Sequence, residues 1–423
     1  MKKILLFLLF PSLLFSQGYT SYFTGNTNNI TTVTTPGTCL MGGATENDNA
    51  MKWLLEKANG GDIVVIRSTG TNGYNNYFYT DLGITVNSVE TLVITSAAGA
   101  VNPYVLNKVI NAEMIWFAGG DQANYVNYFK NNALENAINN HINVKQAPIG
   151  GTSAGMAILG GKYFSALNGS ITSAQALANP YNAAVTLGIN DFLNVPFLQE
   201  VTTDTHFDNP DRKGRLMAFL ARNATDQNNR SFGIASNEYV AVCIDENGKA
   251  SVYGDYPNYP EFAYFLQANC QSSFLPETCL ANTSLTWNRN GEAVKVYKVP
   301  GTMNGANYFQ IDNWQTGSGG SWENWKVING VFSSNLGTPS TCVLKVNEFS
   351  NNEFQIYPIP FKNEIFIEKF EGNIKIIDLN GKIILEKHLS KQGNINTRNL
   401  QSGVYAISLE SNGKVIVRKI IKE

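Results

Sequence analysis

Apolar residues in this chain fall into short continuous runs separated by stretches with helical spacing. Asp62-Ile-Val-Val-Ile-Arg67, Thr91-Leu-Val-Ile-Thr95 and Met114-Ile-Trp-Phe117 are too short for helices and rich in β-branched or aromatic side chains, so each predicts a strand. Ala50, Met51, Leu54, Leu55 and Ala58 share one helical face behind Thr45-Glu-Asn-Asp48, which reads as a capping box, and Gly60-Gly61 stops that helix. Ala123–Asn139 predicts a second helix, and Asn143–Ile149 leads into a third strand–turn unit. Strand and helix alternate, which predicts an α/β domain with a mostly parallel sheet and helices on both faces.

The rest of the chain adds elements around that core. Residues 18–38 read as an extended lead-in, Leu40-Met-Gly-Gly43 as a glycine turn, and 161–197 as loop. Val201–Phe207 reads as a strand end carrying a histidine, and Asp211–Ala221 opens a helix. Phe232–Ile244 predicts strand, turn and strand, and Asp245-Glu-Asn-Gly248 a hairpin into Ala250–Tyr253. Residues 283–345, with Trp287, Trp314, Trp322 and Trp325, predict a β-rich extension packed on the core. After a polar linker at 346–353, residues 354–423 alternate apolar and polar positions between Asn-Gly and Ser-Gly turns, the pattern of a small all-β sandwich.

Composition sets the compartment. Met1-Lys2-Lys3, the apolar run Ile4–Phe15 and Ser16-Gln17 follow the order of a secretory signal peptide, so residues 1–16 are expected to be removed on export. That run is short for a membrane span, and no later segment reaches spanning length. A net charge of −2 with no long Lys/Arg run argues against a nucleic-acid partner. Five cysteines without C-x-x-C spacing and three histidines predict neither a structural metal nor a cofactor. Cys270 and Cys279 are placed to close a short loop, and the odd count leaves at least one thiol over.

The chemistry centres on Gly151-Thr152-Ser153-Ala154-Gly155, a G-x-S-x-G elbow between an apolar run and a helical pattern. A serine nucleophile has to stand proud on a sharp turn, and only small neighbours leave room for strand and helix. Peptide N–H groups after it can stabilise an oxyanion. Ala118-Gly-Gly-Asp-Gln122 closes the preceding strand at the same sheet edge, so both turns face one crevice. Of the histidines, His388 lies in the tail and His141 on the far side of the sheet, which leaves His206 as base. The acid is either Asp204, two residues away on the same face, or Glu238 in the next turn. The order Ser, His, acid is not that of the usual α/β-hydrolases.

With these pieces placed, residues 38–345 resemble the cyanophycinase and peptidase E (aspartyl dipeptidase) family of serine peptidases. The likeness rests on Phe117-Ala-Gly-Gly-Asp-Gln122, Gly150-Gly-Thr-Ser-Ala-Gly155, Asp204-Thr-His-Phe207, Arg212-Lys-Gly-Arg-Leu216 and Ser236-Asn-Glu238, in family order. It implies a flavodoxin-like fold similar to class I glutamine amidotransferases, with serine in place of their cysteine. It also implies a Ser153, His206, Glu238 triad and an oxyanion hole from Gly120 and Ala154. Gln122, Asp204, Thr205, Arg212 and Arg215 are then the substrate-side residues. The implied substrate is an acidic peptide or cyanophycin, and a homodimer is compatible with the resemblance. Thr205 stands where cyanophycinases carry Gln, Pro210 where they carry Arg, and Asn237 where Asp is usual. A catalytically weak surface protein on the same scaffold is the alternative. The tail, with Phe354–Phe361, Ile374–Lys382, Leu400–Tyr405 and Val417–Glu423, resembles the sorting domain of the type IX secretion system. It implies export through the periplasm to the cell surface or medium, with that secretion machinery as partner.

Overall fold

Continuous apolar runs need cover on both faces, and here they receive it. The computed structural model of the protein describes residues 17–270, 273–339, 355–378, 382–411 and 414–423. The chain divides into two compact units, Met1–Cys342 and Val343–Glu423. The expected signal segment and linker lie outside the described residues.

Six strands arise first: β1 (Tyr19–Gly25), β2 (Thr38–Met41), β3 (Asp62–Arg67), β4 (Ser88–Ile94), β5 (Met114–Phe117) and β6 (Ile149–Thr152). Next come β7 (Lys162–Phe164), β8 (Leu187–Ile189), β9 (Val201–Asp204), β10 (Phe232–Ser236), β11 (Ala241–Ile244), β12 (Lys249–Tyr253) and β13 (Phe262–Ala268). β14 (Val294–Pro300), β15 (Tyr308–Gln310), β16 (Gly317–Ser318), β17 (Ser321–Ile328) and β18 (Val331–Leu336) follow. They form two mixed sheets, in the orders β1-β4-β3-β5-β6-β2-β11-β12-β15-β16 and β18-β17-β14-β13-β10-β9-β7-β8. The parallel core expected from the strand–helix alternation is β4-β3-β5-β6-β2. A smaller parallel patch, β10-β9-β7, lies in the second sheet. The strands that lead into Ser153 and His206 therefore belong to different sheets.

Several elements differ from the pattern-based expectation, each for a local reason. Leu40 and Met41 are not a turn but half of β2, which is wholly buried between β6 and β11. Four residues suffice there because both neighbours complete its hydrogen-bond ladder. The cap of helix Asp48–Lys57 is Asn47, whose side chain accepts the Ala50 N–H, while Glu46 instead accepts the Tyr74 hydroxyl. The expected helix 123–139 is two helices, Gln122–Phe129 and Ala133–Asn143; Asn131 takes a left-handed conformation and Asn132 caps the second. The expected loop 161–197 contains β7, β8 and helix Ser173–Ala178, whose capping box is Thr172 with Gln175.

The β-rich stretch after residue 283 is integral to both sheets, with β14, β17 and β18 in the second and β15 and β16 at the end of the first. Trp287 and Trp325 are fully buried with Leu216, Phe219 and Val296, between the second sheet and helix Lys213–Gln227. On the first sheet, Met51, Leu54 and Leu55 pack on Ile63, Val65 and Trp116. Cys270 is disulfide-bonded but Cys279 is a free, buried thiol, so these two do not close a loop with each other. No helix among the described residues is long and apolar enough to cross a membrane.

The second unit is all antiparallel β: β19 (Gln355–Tyr357), β20 (Glu364–Ile377), β21 (Ile383–Asn396), β22 (Gly403–Ser411) and β23 (Lys414–Lys422). The long β20 pairs with β19, β21 and β22, and its register shifts between Ile367 and Phe370. Ile365, Ile367, Ile374 and Ile376 meet Leu389, Ile395, Ile407 and Leu409 in its core, as alternation requires.

Candidate active site

β6 ends at Thr152, and Ser153 turns the chain into helix Ala154–Ala157 with φ 53° and ψ −117°. Side chains other than glycine's rarely occupy that region, and strain of this kind gathers at functional turns. The flanking glycines are dictated by contact. A Cβ on Gly151 would lie 2.6 Å from the Gly155 carbonyl carbon, and one on Gly155 2.2 Å from the Phe117 carbonyl oxygen. The turn is therefore pressed against both its own helix and β5.

His206 follows β9 and also has a positive φ, 45°. Its Nε2 lies 2.7 Å from Ser153 Oγ, and its Nδ1 2.7 Å from Glu238 Oε1. An ionised carboxylate only accepts, so Nδ1 carries the proton and Nε2 is left to accept the serine hydroxyl. The hydrogen bond from His206 holds the Glu238 carboxyl below its usual range. Asn209 Nδ2 donates to the other Glu238 oxygen at 3.3 Å, and the Glu238 N–H donates to Asp208 Oδ1 at 3.0 Å. Neither Asp208 nor Asn209 stands out in the sequence.

One short segment holds all three backbones. The Met41 carbonyl accepts the Ser153 N–H at 3.1 Å, the Gly42 carbonyl the His206 N–H at 2.8 Å, and the Gly43 carbonyl the Tyr239 N–H at 3.0 Å. Consecutive carbonyls at the end of β2 thus tie the serine turn, the histidine and the residue after Glu238 to one another. The Gly42-Gly43 pair was the signal; read locally, it means only a turn.

A cavity of about 320 Å³ opens beside Ser153, and Gly120, Gln122, Ala154, Thr205, Arg212 and Arg215 line it. Gln122 Nε2 reaches the Phe164 carbonyl at 3.5 Å. Arg215 and Asp204 form a buried pair: Nε to Oδ2 at 2.9 Å, with Nη2 on Oδ1, and the Thr205 N–H donates to the same carboxylate at 2.8 Å. Asp204 is thus spent inside the protein, and it is Glu238 that meets His206. Arg212 donates to the Thr205 carbonyl at 2.9 Å and takes part in none of the ion pairs among the described residues. Burial, and then the charge of Arg215, lower its pKa from the usual guanidinium value.

The other histidines stand elsewhere. His141 is buried, donates from Nε2 to the Pro148 carbonyl at 3.0 Å, and has its pKa pushed down to about 4 by burial. His388 pairs with Asn373 in the second unit. Another cavity, about 380 Å³, lies at the opposite edge of β2 and β6 and contains none of the candidate residues. Among the described residues no three His, Cys, Asp or Glu side chains gather as a metal site.

Two stretches of the chain match known families. Residues 69–251 match peptidase family S51, and residues 355–423 match the secretion system C-terminal sorting domain. Among solved structures, a peptidase from an acI-B1 Actinobacterium is 17% identical, with 54% of this chain and 93% of that one covered at a TM-score of 0.39. A protein named for peptidase E from Listeria monocytogenes EGD-e is 16% identical, with 52% and 99% covered at a TM-score of 0.34. No curated protein matches the chain. A peptidase domain joined to a sorting tail describes a secreted or cell-surface peptidase.

Proposed function

We propose, from the peptidase family S51 domain that the chain carries, that it is a serine-type enzyme hydrolysing acidic peptide bonds, aspartyl or β-aspartyl, through Ser153, His206 and Glu238. The observation behind this reading is the unbroken hydrogen-bond chain from Ser153 Oγ through His206 to Glu238, with 2.7 Å at each step. His206 Nε2 takes the hydroxyl proton as Ser153 Oγ attacks the carbonyl carbon, and Glu238 stabilises the imidazolium that forms. The N–H groups of Gly120 and Ala154 receive the oxyanion. His206 then hands the proton to the leaving amine, and water repeats the sequence to release the acyl group.

Arg212 supports an acidic substrate. A partly buried guanidinium without a carboxylate of its own is costly, and a substrate carboxylate relieves that cost with two parallel hydrogen bonds. Arg215 serves the same subsite indirectly, as a wall fixed by Asp204. Cyanophycin also needs its arginine groups recognised. Asp204 is paired with Arg215, and one oxygen of Asp121 holds the Ala123 N–H, which leaves only the other Asp121 oxygen to meet a guanidinium. Weak cleavage of cyanophycin follows. The tail engages the type IX secretion machinery.

The test treats the protein with a fluorophosphonate probe and with a panel of aspartyl, β-aspartyl and neutral peptides. The proposal expects labelling that requires Ser153 and turnover of the acidic members. Absence of labelling at Ser153 in folded protein removes the serine mechanism, and faster turnover of neutral peptides removes the acidic substrate.

A further inference from the structure

Two thiols face each other beside the serine turn. Cys39 on β2 stands directly opposite Cys243 on β11, their sulfur atoms are 3.7 Å apart, and both side chains are buried. Both are free. The ladder decides what they can do. The Gly42 N–H donates to the Val240 carbonyl, so 42 and 240 are a hydrogen-bonded pair. Antiparallel ladders alternate, which makes Cys39 and Cys243, three steps along, a non-hydrogen-bonded pair. Opposed Cα atoms in such pairs lie about 4.5 Å apart, inside the roughly 4.4–6.8 Å that a disulfide spans. The sulfurs can close by side-chain rotation with the backbone in place.

We propose that Cys39 and Cys243 are a disulfide site of the exported protein, joined across β2 and β11 by exchange with a disulfide-bearing oxidant of the export compartment. One cysteine thiolate attacks the oxidant's disulfide, forming a mixed disulfide and freeing one oxidant thiolate. The second attacks the protein sulfur of that bond, forming the Cys39–Cys243 link and freeing the other. The pair loses two electrons to the oxidant, whose two thiols also receive the two protons. The sorting tail supplies the reason to expect an oxidising route. Burial pushes the Cys243 thiol well up, and the thiolate is the attacking species, so the first attack belongs to the stage before β11 closes on β2, and the second closes the link as the ladder brings the two sulfurs together.

The consequence reaches the site. The two cysteines are 204 residues apart in sequence, and β2 runs directly into the Met41–Gly43 carbonyls that hold Ser153, His206 and Tyr239. A link at 39/243 locks the register on which those three contacts depend.

The full chain, exported to a bacterial periplasm, is denatured in iodoacetamide, digested without reductant and mapped by mass spectrometry. The expected result is a Cys39 peptide linked to a Cys243 peptide, with Cys279 alkylated. Alkylation of both Cys39 and Cys243, or a link from either to another cysteine, overturns the proposal. Thermal unfolding with and without reductant is then compared between the wild type and Cys39→Ala/Cys243→Ala. Reductant should lower the wild-type midpoint by about 5–10 °C more than that of the variant. The disulfide at Cys270 is common to both chains and cancels; equal shifts overturn the proposal.

Discussion

The backbone of Gly43 lies against the His206 imidazole: a Cβ added there would sit 2.3 Å from Cε1 and 2.4 Å from Nε2. Gly43 also has φ +121°, which other residues rarely adopt. No side chain fits without moving the ring off Ser153. Gly43→Ala is expected to lower kcat about 100-fold, because misplacing a catalytic group by an ångström costs about that much. The far-UV spectrum should remain native. Wild-type kcat in a folded Gly43→Ala protein would mean that this contact does not position the base.

Ser153→Ala removes one hydroxyl and keeps the turn. Hydrolysis of the best acidic peptide should fall by roughly 10⁴- to 10⁶-fold, fluorophosphonate labelling should vanish, and the melting temperature should stay put. Residual turnover near wild type would sink the nucleophile assignment.

Glu238→Gln keeps an acceptor for His206 but not a counter-charge. Turnover should drop about 10⁴-fold with little change in KM. The pH dependence of stability follows from the same bond. The folded carboxyl sits below its usual value, so the unfolded chain takes up the proton first as pH falls. Its contribution is complete above the ordinary carboxylate range and is lost as pH drops through the lowered folded value. In urea titrations, the stability gap between wild type and Glu238→Gln should be constant near neutrality and shrink below about pH 4. A gap that widens in acid contradicts the assignment.

Asp204→Asn is expected to act on the fold before it acts on the substrate. Arg215 is buried and has Asp204 as its carboxylate partner, so the variant strands a charge. Breaking a buried pair costs about 3–5 kcal/mol. A denaturant midpoint equal to wild type, with only KM raised, would return Asp204 to the substrate side.

Arg212→Ala should raise KM for acidic peptides about 10- to 100-fold while leaving kcat within a few-fold, the worth of one charge-assisted contact. Neutral peptides of the same length should be unaffected. Equal losses on both would make Arg212 a structural support for the Thr205 carbonyl.

The serine turn was legible in the residues because its constraint is local. A strained turn pressed between β5 and its own helix leaves room for glycine at 151 and 155, and the apolar run before it marks a buried strand. The strands β3 and β5 were legible for a similar reason: a strand covered on both faces has to be apolar throughout. The tail showed itself through alternation, since a core filled from one side of each strand imposes a period of two.

Other features are decided by partners far away in sequence. Met41–Gly43 reads locally as no more than a glycine turn, yet its carbonyls meet residues 153, 206 and 239, because β2 inserts between β6 and β11. The choice between Asp204 and Glu238 could not be made from spacing. Asp204 shares a strand with the approach to His206, but its carboxylate turns into the core toward Arg215, while Glu238 arrives from the end of β10. The Cys39–Cys243 pair is equally silent in the sequence, because register across an antiparallel ladder depends on which strands come to lie side by side. The chain itself determined the serine turn, the αβ alternation and the all-β tail, through short-range sterics and periodic burial. Tertiary structure alone decided which carboxylate meets His206, the clamp and the thiol pair, because strand order and side-chain pairing are set by burial summed over the whole domain.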